Sequence, residues 1–529
     1  MYPNSTLEEL VQDLSRECAF AESVDQVTVR QTHISLVFLG GDVVYKVKKP
    51  VKLPFLDFST VELRRHYCDE EVRINRPWAP DVYLSVVPIT RSTDGLVFEG
   101  SGPAVEWAVK MRRLPESATL RSRLLNGQIN SQDFDRVACR IAVTHKSMTC
   151  VTADQAITAN AEFHQYWAEN WEFASGLNAE IIVPHVLQRL FELSNEWIAR
   201  HKADLTQRAM DGMIKEVHGD LRLEHVFLFP ERANPNDIVI IDGIEFSESL
   251  RRIDVVADIA FLVMELSFLG RRDLAQNLAD VYFSETDDNK GWRLLSLFMV
   301  YRSAVRAKVA AILSAEAETP EFDRQAAISR SRAHWLWCLS EMEEPDRRPA
   351  LVLISGLPGT GKSTLSQQLM NAAHFELLRS DVIRKEIFTN SDTTRSSTEL
   401  YSEKNTQRIY DECRNRAHTR LTAGGRVIVD ATFQRESDRQ AFLQMAIDCG
   451  VRAIWLECTA PSDVIHKRLK NRRGDASDAD WTVYELVQKN WEPASEFTKT
   501  FHETVESDTN SDSALKSVCS ILKKHGLRL

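Results

Sequence analysis

The stretch Leu351-Val-Leu-Ile-Ser-Gly-Leu-Pro-Gly-Thr-Gly-Lys-Ser-Thr364 leaves the C-terminal third of this chain little freedom in how it folds. Its first residues, Leu351 to Ile354, are an apolar run of the kind a buried parallel strand requires. Gly356 to Ser363 then fits G-x-x-x-x-G-K-[ST], and Leu365-Ser-Gln-Gln-Leu-Met370 continues at helical spacing. Strand, glycine loop and helix, in that order, are the context in which this pattern holds phosphate. Glycines let the backbone close round an anion without Cβ clashes, and the amides that open the helix point at its oxygens. Gly356, Gly359, Thr360, Gly361, Lys362, Ser363 and Thr364 are therefore the expected nucleotide-binding residues. Lys362 reaches the β- and γ-phosphates of ATP, and the Ser363 hydroxyl holds Mg²⁺.

Strand and helix signals alternate from there to the C-terminus, which predicts a parallel sheet in an α/β domain. Leu378-Arg-Ser-Asp381-Val-Ile-Arg384 puts an acid just after a strand and an arginine one helical turn later, on one face. Gly424-Gly-Arg-Val-Ile-Val-Asp430 is an apolar strand ending in an acid, a position that orients Mg²⁺ beside a phosphate loop. A basic helix and loop, Asp463 to Arg473, carries Arg468, Arg472 and Arg473. The charged, proline-bearing segment Met342 to Pro349 precedes the first strand, so the boundary is expected near it, with domains over 1–345 and 346–529.

The N-terminal part reads differently. An amphipathic helix is expected over residues 1 to about 25, then strands at Val27–Val29, Thr32–Leu39 and Asp42–Lys48, the last two joined at Gly40-Gly41. A helix from about Ser59 to Asn75, further strands at 82–88, 96–99 and 106–112, and a long helical region follow. A mostly antiparallel sheet with one helix, leading into helices, is a two-lobed α+β layout. Val217-His-Gly-Asp220-Leu-Arg-Leu-Glu-His225 and Ile238-Val-Ile-Ile-Asp242 then place two acids on adjacent loops, as phosphoryl transfer requires.

These last residues resemble the aminoglycoside phosphotransferase family, relatives of the protein kinases, whose signature is H-G-D-L-x-x-x-N followed by an apolar strand ending in Asp. The resemblance spans roughly 25 to 310 and implies a kinase-like domain. Position by position, it makes Asp220 the catalytic base and Asp242 a metal ligand. Lys46 contacts the α- and β-phosphates and pairs with Glu71, with Lys48 and Glu70 as the competing choices on the same strand and helix. It also implies that Glu106 to Arg113 is the hinge beside adenine, and Asp254 to Phe261 follows the family's later pattern. The family's metal-binding Asn falls at His225, and imidazole suits softer metals than Mg²⁺.

Residues 349 to 505 resemble the small P-loop kinases: polynucleotide kinase, zeta toxin, gluconate kinase and chloramphenicol phosphotransferase. That resemblance makes Asp381 the general base for an acceptor hydroxyl and Arg384 a contact to acceptor or phosphate. Arg468, with Arg472 or Arg473, becomes a lid, and Ser363 and Asp430 serve the metal. A regulatory AAA-type ATPase is the competing class, although such enzymes usually follow the strand-end acid with Glu, where Ala431 stands here. A third class is a nucleotide sensor whose N-terminal domain only binds.

Composition narrows the partners. A net charge of −11 over 529 residues gives no broad nucleic-acid surface, so the acceptor is expected to be a small molecule or a nucleotide. Nine scattered cysteines without a C-x-x-C pair argue against a zinc site or a disulfide framework. With no long apolar run and no leader pattern, the expectation is a cytoplasmic protein that does not enter membranes. Oligomeric state leaves no mark in the sequence.

Overall fold

The structure, a computed structural model, describes residues 6–53, 56–234, 236–316, 319–389, 403–471, 480–507 and 511–529. Its packing divides the chain into two compact units. One holds residues 1–165, 201–265 and 274–299; the other holds 166–200, 266–273 and 300–529.

The first unit contains β1 (Val27–Gln31), β2 (Ser35–Gly40), β3 (Val43–Lys48), the short pair β4 (Lys52–Leu53) and β5 (Leu56–Asp57), β6 (Tyr83–Ser92), β7 (Gly95–Phe98) and β8 (Ala104–Arg112). Six of these form one sheet in the order β1-β2-β3-β8-β6-β7, with every neighbouring pair antiparallel. The β2–β3 hairpin turns at Gly41-Asp42, where Gly41 adopts φ +52, a conformation glycine takes without steric cost. Strand alternation gives the sheet two cores. Val43, Tyr45 and Val47 face Leu36, Phe38, Phe98 and the helix Leu7–Leu14. Val44 faces the other way, with Cys68 and Val72 of the helix Val61–Asn75. Lys46 and Lys48 share the parity of Val44, so both project on the side of that helix.

The expected helix over 1 to 25 is shorter. It is capped by Thr6, ends at Leu14, and is followed by one 3₁₀ turn, because the backbone at Arg16 is extended (ψ 142). Short strands β9 (Ile214–Glu216), β10 (Val226–Leu228), β11 (Ile238–Ile240) and β12 (Arg252–Asp254) follow the helical region as two antiparallel pairs, β10–β11 and β9–β12.

The second unit is built on β13 (Ala350–Ser355), β14 (Glu376–Arg379), β15 (Arg426–Asp430), β16 (Arg452–Thr459) and β17 (His502–Glu506). Their order is β14-β15-β13-β16-β17 and every neighbouring pair is parallel, as the alternation of signals predicted. All residues of β13 and β15 are buried, which accounts for their unbroken apolar runs. Val352 and Ile354 pack with Ile428, Ile454 and Leu456 and with Leu365 and Leu369 of the helix Lys362–Ala373. β13 is central: the chain leaves it for β14 and β15 on one side and then crosses to β16 and β17 on the other, so the loop after it lies at a topological switch point.

Candidate functional site

The loop leaving β13 has the geometry its sequence demands. Gly356, Gly359 and Gly361 adopt φ of +143, +83 and +96. A Cβ at Gly356 would stand 2.5 Å from the Cys458 carbonyl oxygen, and one at Gly361 would stand 2.8 Å from Ser507 Oγ. These positions accept glycine alone, and the cradle they shape fits a phosphate chain. Thr360 Oγ1 donates to the Leu357 carbonyl across 2.8 Å, and the Ser507 hydroxyl donates to the Thr360 carbonyl, fixing the loop from both sides. Lys362 and Ser363 open the helix that follows, with Thr364 exposed beside them.

Asp430, at the end of β15, is 4% exposed and lies close enough to Ser363 and Lys362 for both to act on its carboxylate. Burial raises its pKa, while Lys362, Ser363 and Arg379 pull it down. A buried acid beside the loop serine and the loop lysine is a donor set that fits Mg²⁺ on a nucleotide. Asp381 lies close enough to Asp430 to act on its charge, and Arg384 Nη1 sits 2.6 Å from Asp381 Oδ1 on the same helix, Ser380–Thr389. Arg468 Nη1 reaches Ser507 Oγ at 3.0 Å and the Gly359 carbonyl at 3.4 Å, so it caps the outer side of the loop. Arg472, like Arg473, lies outside the described residues.

Sequence reasoning missed Arg379. Its Nε stands 3.3 Å from Asp430 Oδ2, because β14 pairs with β15 in the register Arg379↔Asp430. Its only signal was its place two residues before Asp381 at the end of an apolar strand.

In the first unit, Lys46 Nζ lies 2.8 Å from Glu71 Oε1 and 2.6 Å from Asp242 Oδ1. Burial opposes the charge of Lys46, but Asp242 and Glu71 outweigh it and hold its pKa well above the ordinary value. Lys46 in turn drives the Asp242 carboxyl well below its usual range. Glu71, not Glu70, meets the lysines, since Glu70 turns to Arg73 and Arg251. Asp242 adopts φ +69, and its amide donates to the Tyr83 hydroxyl across 2.9 Å. His225 stands between the two loop acids. Its Nδ1 donates to the Asp220 carbonyl at 2.8 Å and is 3.5 Å from Asp220 Oδ2, while Nε2 is 3.7 Å from Asp242 Oδ2. With Nδ1 engaged by that carbonyl, Nε2 is the ring nitrogen left toward Asp242, which fits a metal shared by the two. Among the described residues no group of three or more His, Cys, Asp or Glu is arranged to hold a metal.

The Asp220 loop is fixed from behind. Asp258, fully buried, accepts the His218 amide at 3.2 Å and the Gly219 amide at 2.8 Å, and its Oδ2 lies 3.1 Å from His145 Nε2. His218 Nε2 donates to the Ile241 carbonyl, tying the Asp220 loop to the end of β11. Burial lowers the His218 pKa and keeps the ring neutral, so that Nδ1 accepts the Asp220 amide at 3.3 Å.

One expectation is corrected. Residues 106–112 are not a hinge but the body of β8, paired to β3 on one side and β6 on the other. The ladder consumes their backbone groups, and Glu106 is buried against Arg64 at 2.5 Å.

A family model described as an AAA domain matches residues 351–494. Uncharacterized proteins of Mycobacterium tuberculosis and Mycobacterium bovis are each 28% identical to this chain over 461 residues, covering 86% of it and 88% of their own length. Among solved structures, a sugar kinase from Janibacter sp. is 14% identical, covering 33% of this chain and 95% of its own, with a TM-score of 0.27. A gluconokinase from Sinorhizobium meliloti is also 14% identical, with coverages of 34% and 94% and a TM-score of 0.27. The family match, the glycine loop and the parallel sheet agree that the C-terminal part is a P-loop nucleotide-binding domain. No helix among the described residues is long and apolar enough to cross a membrane.

Proposed function

We propose that this protein is an ATP-dependent phosphotransferase with two modules, each transferring the γ-phosphoryl group of Mg-ATP to a hydroxyl of a small molecule or nucleotide. The reading rests most heavily on one observation: the glycine loop brings Lys362 and Ser363 beside buried Asp430, with Asp381 within its electrostatic reach. One acid to serve the metal and a second to serve the acceptor is the minimum phosphoryl transfer needs. Lys362 and the loop amides bind the phosphates, and Mg²⁺, when bound, neutralises charge on the β- and γ-oxygens. Asp381 takes the proton of the acceptor hydroxyl as its oxygen bonds to the γ-phosphorus and the bond to the β-phosphate oxygen breaks, releasing ADP. Arg384 and Arg468 balance the charge that develops.

In the N-terminal module Asp220 takes the acceptor proton, Lys46 holds the phosphates against Glu71, and Asp242 with His225 faces the metal. The support is the juxtaposition of these five side chains and the resemblance of their motifs to the aminoglycoside phosphotransferases.

A regulatory ATPase is the second reading, favoured by the AAA description of the matching family model. Incubating the full chain with γ-labelled ATP and an extract of metabolites and nucleic acids separates the two. Label on an organic acceptor supports transfer, whereas label in inorganic phosphate alone supports hydrolysis and overturns the phosphotransferase.

A further inference from the structure

β3 carries a second lysine, more enclosed than the first. Lys48 Nζ lies 2.8 Å from Glu71 Oε2 and also contacts Glu245; the Lys48 and Glu71 side chains are 0% exposed and that of Glu245 is 5% exposed. Lys46 takes the other oxygen of the same carboxylate, Oε1, and extends to Asp242, whose side chain is 46% exposed. Glu245, Lys48, Glu71, Lys46 and Asp242 thus form one row of alternating charge, from a closed end to an open one.

The row is built, not incidental. Lys46 and Lys48 are two residues apart on one strand, so they share a face and meet Glu71 together. Arg251 Nη1 donates to the Glu245 carbonyl at 3.0 Å, fixing the closed end, and the Phe58 ring lies 5.0 Å from Lys48 Nζ. Holding Lys46 needs only Glu71. A second buried ion pair behind it adds desolvation and calls for another purpose. A carboxylate with both oxygens free engages an ammonium with either or both, centring it on the carboxylate. With Oε2 taken by Lys48, Glu71 offers Lys46 a single oxygen; Glu71 and Asp242 take two of the three Lys46 donors, which leaves the third for a ligand.

We infer that Lys48 and Glu245 are positioning residues that restrict Glu71 to one oxygen and so aim Lys46 at the phosphates of a bound nucleotide. This rests on the reading of Lys46 and Asp242 given under Proposed function, and adds what sets their geometry.

The test uses the full chain carrying Lys362→Ala, which silences the P-loop, and measures the affinities of ATP and of adenosine by calorimetry with Mg²⁺ or Mn²⁺ present. Lys48→Met alone strands buried Glu245, so the decisive variant is Lys48→Met/Glu245→Met, which removes both charges at once. The expected result is ATP binding weaker by on the order of ten-fold or more, the loss of a charge-assisted contact, with adenosine affinity unchanged. ATP and adenosine weakened alike would mean that the pair only supports the fold, and ATP bound as tightly as in the parent would mean that Lys46 needs no aiming. Either outcome overturns the inference while leaving the site. A Lys362→Ala parent that binds no ATP overturns the reading of the site itself, and the inference with it.

Discussion

Arg384 Nη1 stands 2.6 Å from Asp381 Oδ1, three residues along one helix, so one oxygen of the carboxylate proposed as the base is held by an arginine. The arginine holds that carboxylate in place on the helix. Asp381→Asn preserves the shape and removes the proton acceptor. It is expected to lower label transfer to the acceptor by roughly 10²–10⁴-fold while leaving ATP affinity nearly unchanged. Transfer within a factor of ten of the parent would remove Asp381 from the role of base.

The glycine loop makes a sharper demand on the backbone. Gly356→Ala adds a Cβ 2.5 Å from the Cys458 carbonyl oxygen and 2.8 Å from Thr360 Oγ1, at φ +143. The first neighbour is backbone in the adjacent strand and cannot swing aside. Destabilisation of about 2–4 kcal/mol is expected, with loss of ATP binding at the glycine loop. Gly127→Ala is the control: its φ of +65 is also left-handed, but no atom lies within 4 Å, so about 1 kcal/mol is expected. Lys362→Ala, by contrast, is expected to abolish ATP turnover by the C-terminal domain with little change in Tm, since it removes charge rather than packing. Denaturant midpoints and calorimetry on the three variants distinguish these outcomes.

The difference between what was legible and what was not follows from sequence distance. β13, its loop and the helix after it are contiguous, and the fully buried strand declares itself as an apolar run. Lys46 and Lys48 could not be separated, because residues two apart on a strand share a face. What distinguishes them is Asp242, nearly two hundred residues away, which meets only Lys46. Arg379 was invisible for a related reason: its partner Asp430 is supplied by the pairing of two parallel strands, a register no local pattern encodes. The grouping of 166–200 and 266–273 with the C-terminal unit likewise comes from long-range packing. The hinge was misread because β8 is an interior strand, and its sequence carries no mark of having neighbours on both sides.

Asp258 offers a test of how the Asp220 loop is held. It accepts the amides of His218 and Gly219 and contacts His145, all inside the protein. Asp258→Ala leaves those two amides without an acceptor, a loss expected to be about 2–4 kcal/mol. Hydrogen exchange followed by mass spectrometry is expected to show faster exchange over 217–220, with the helix Lys362–Ala373 unchanged. Unchanged exchange in that loop would mean that Asp258 does not anchor it.

Glu341 ties acid stability to a cluster of arginines. It lies 2.6 Å from Arg272 Nη2 and 3.0 Å from Arg452 Nη2, with Arg348 also acting on it. Burial opposes its charge, but the arginines win and bring its pKa down to about 2 from an ordinary 4.5. Because the folded value lies below the unfolded one, the unfolded chain takes up the proton first as the pH falls. The stabilisation is therefore complete above 4.5 and is lost as the pH drops through about 2. The shift corresponds to about 3 kcal/mol at neutral pH. Glu341→Gln cannot ionise, so it is expected to be less stable than the parent by about that amount at pH 7, with the gap narrowing steadily below pH 4.5. Urea midpoints of both chains, measured from pH 7 to pH 3, check this. A gap that stays constant over that range would show that Glu341 stabilises by packing and not by its charge.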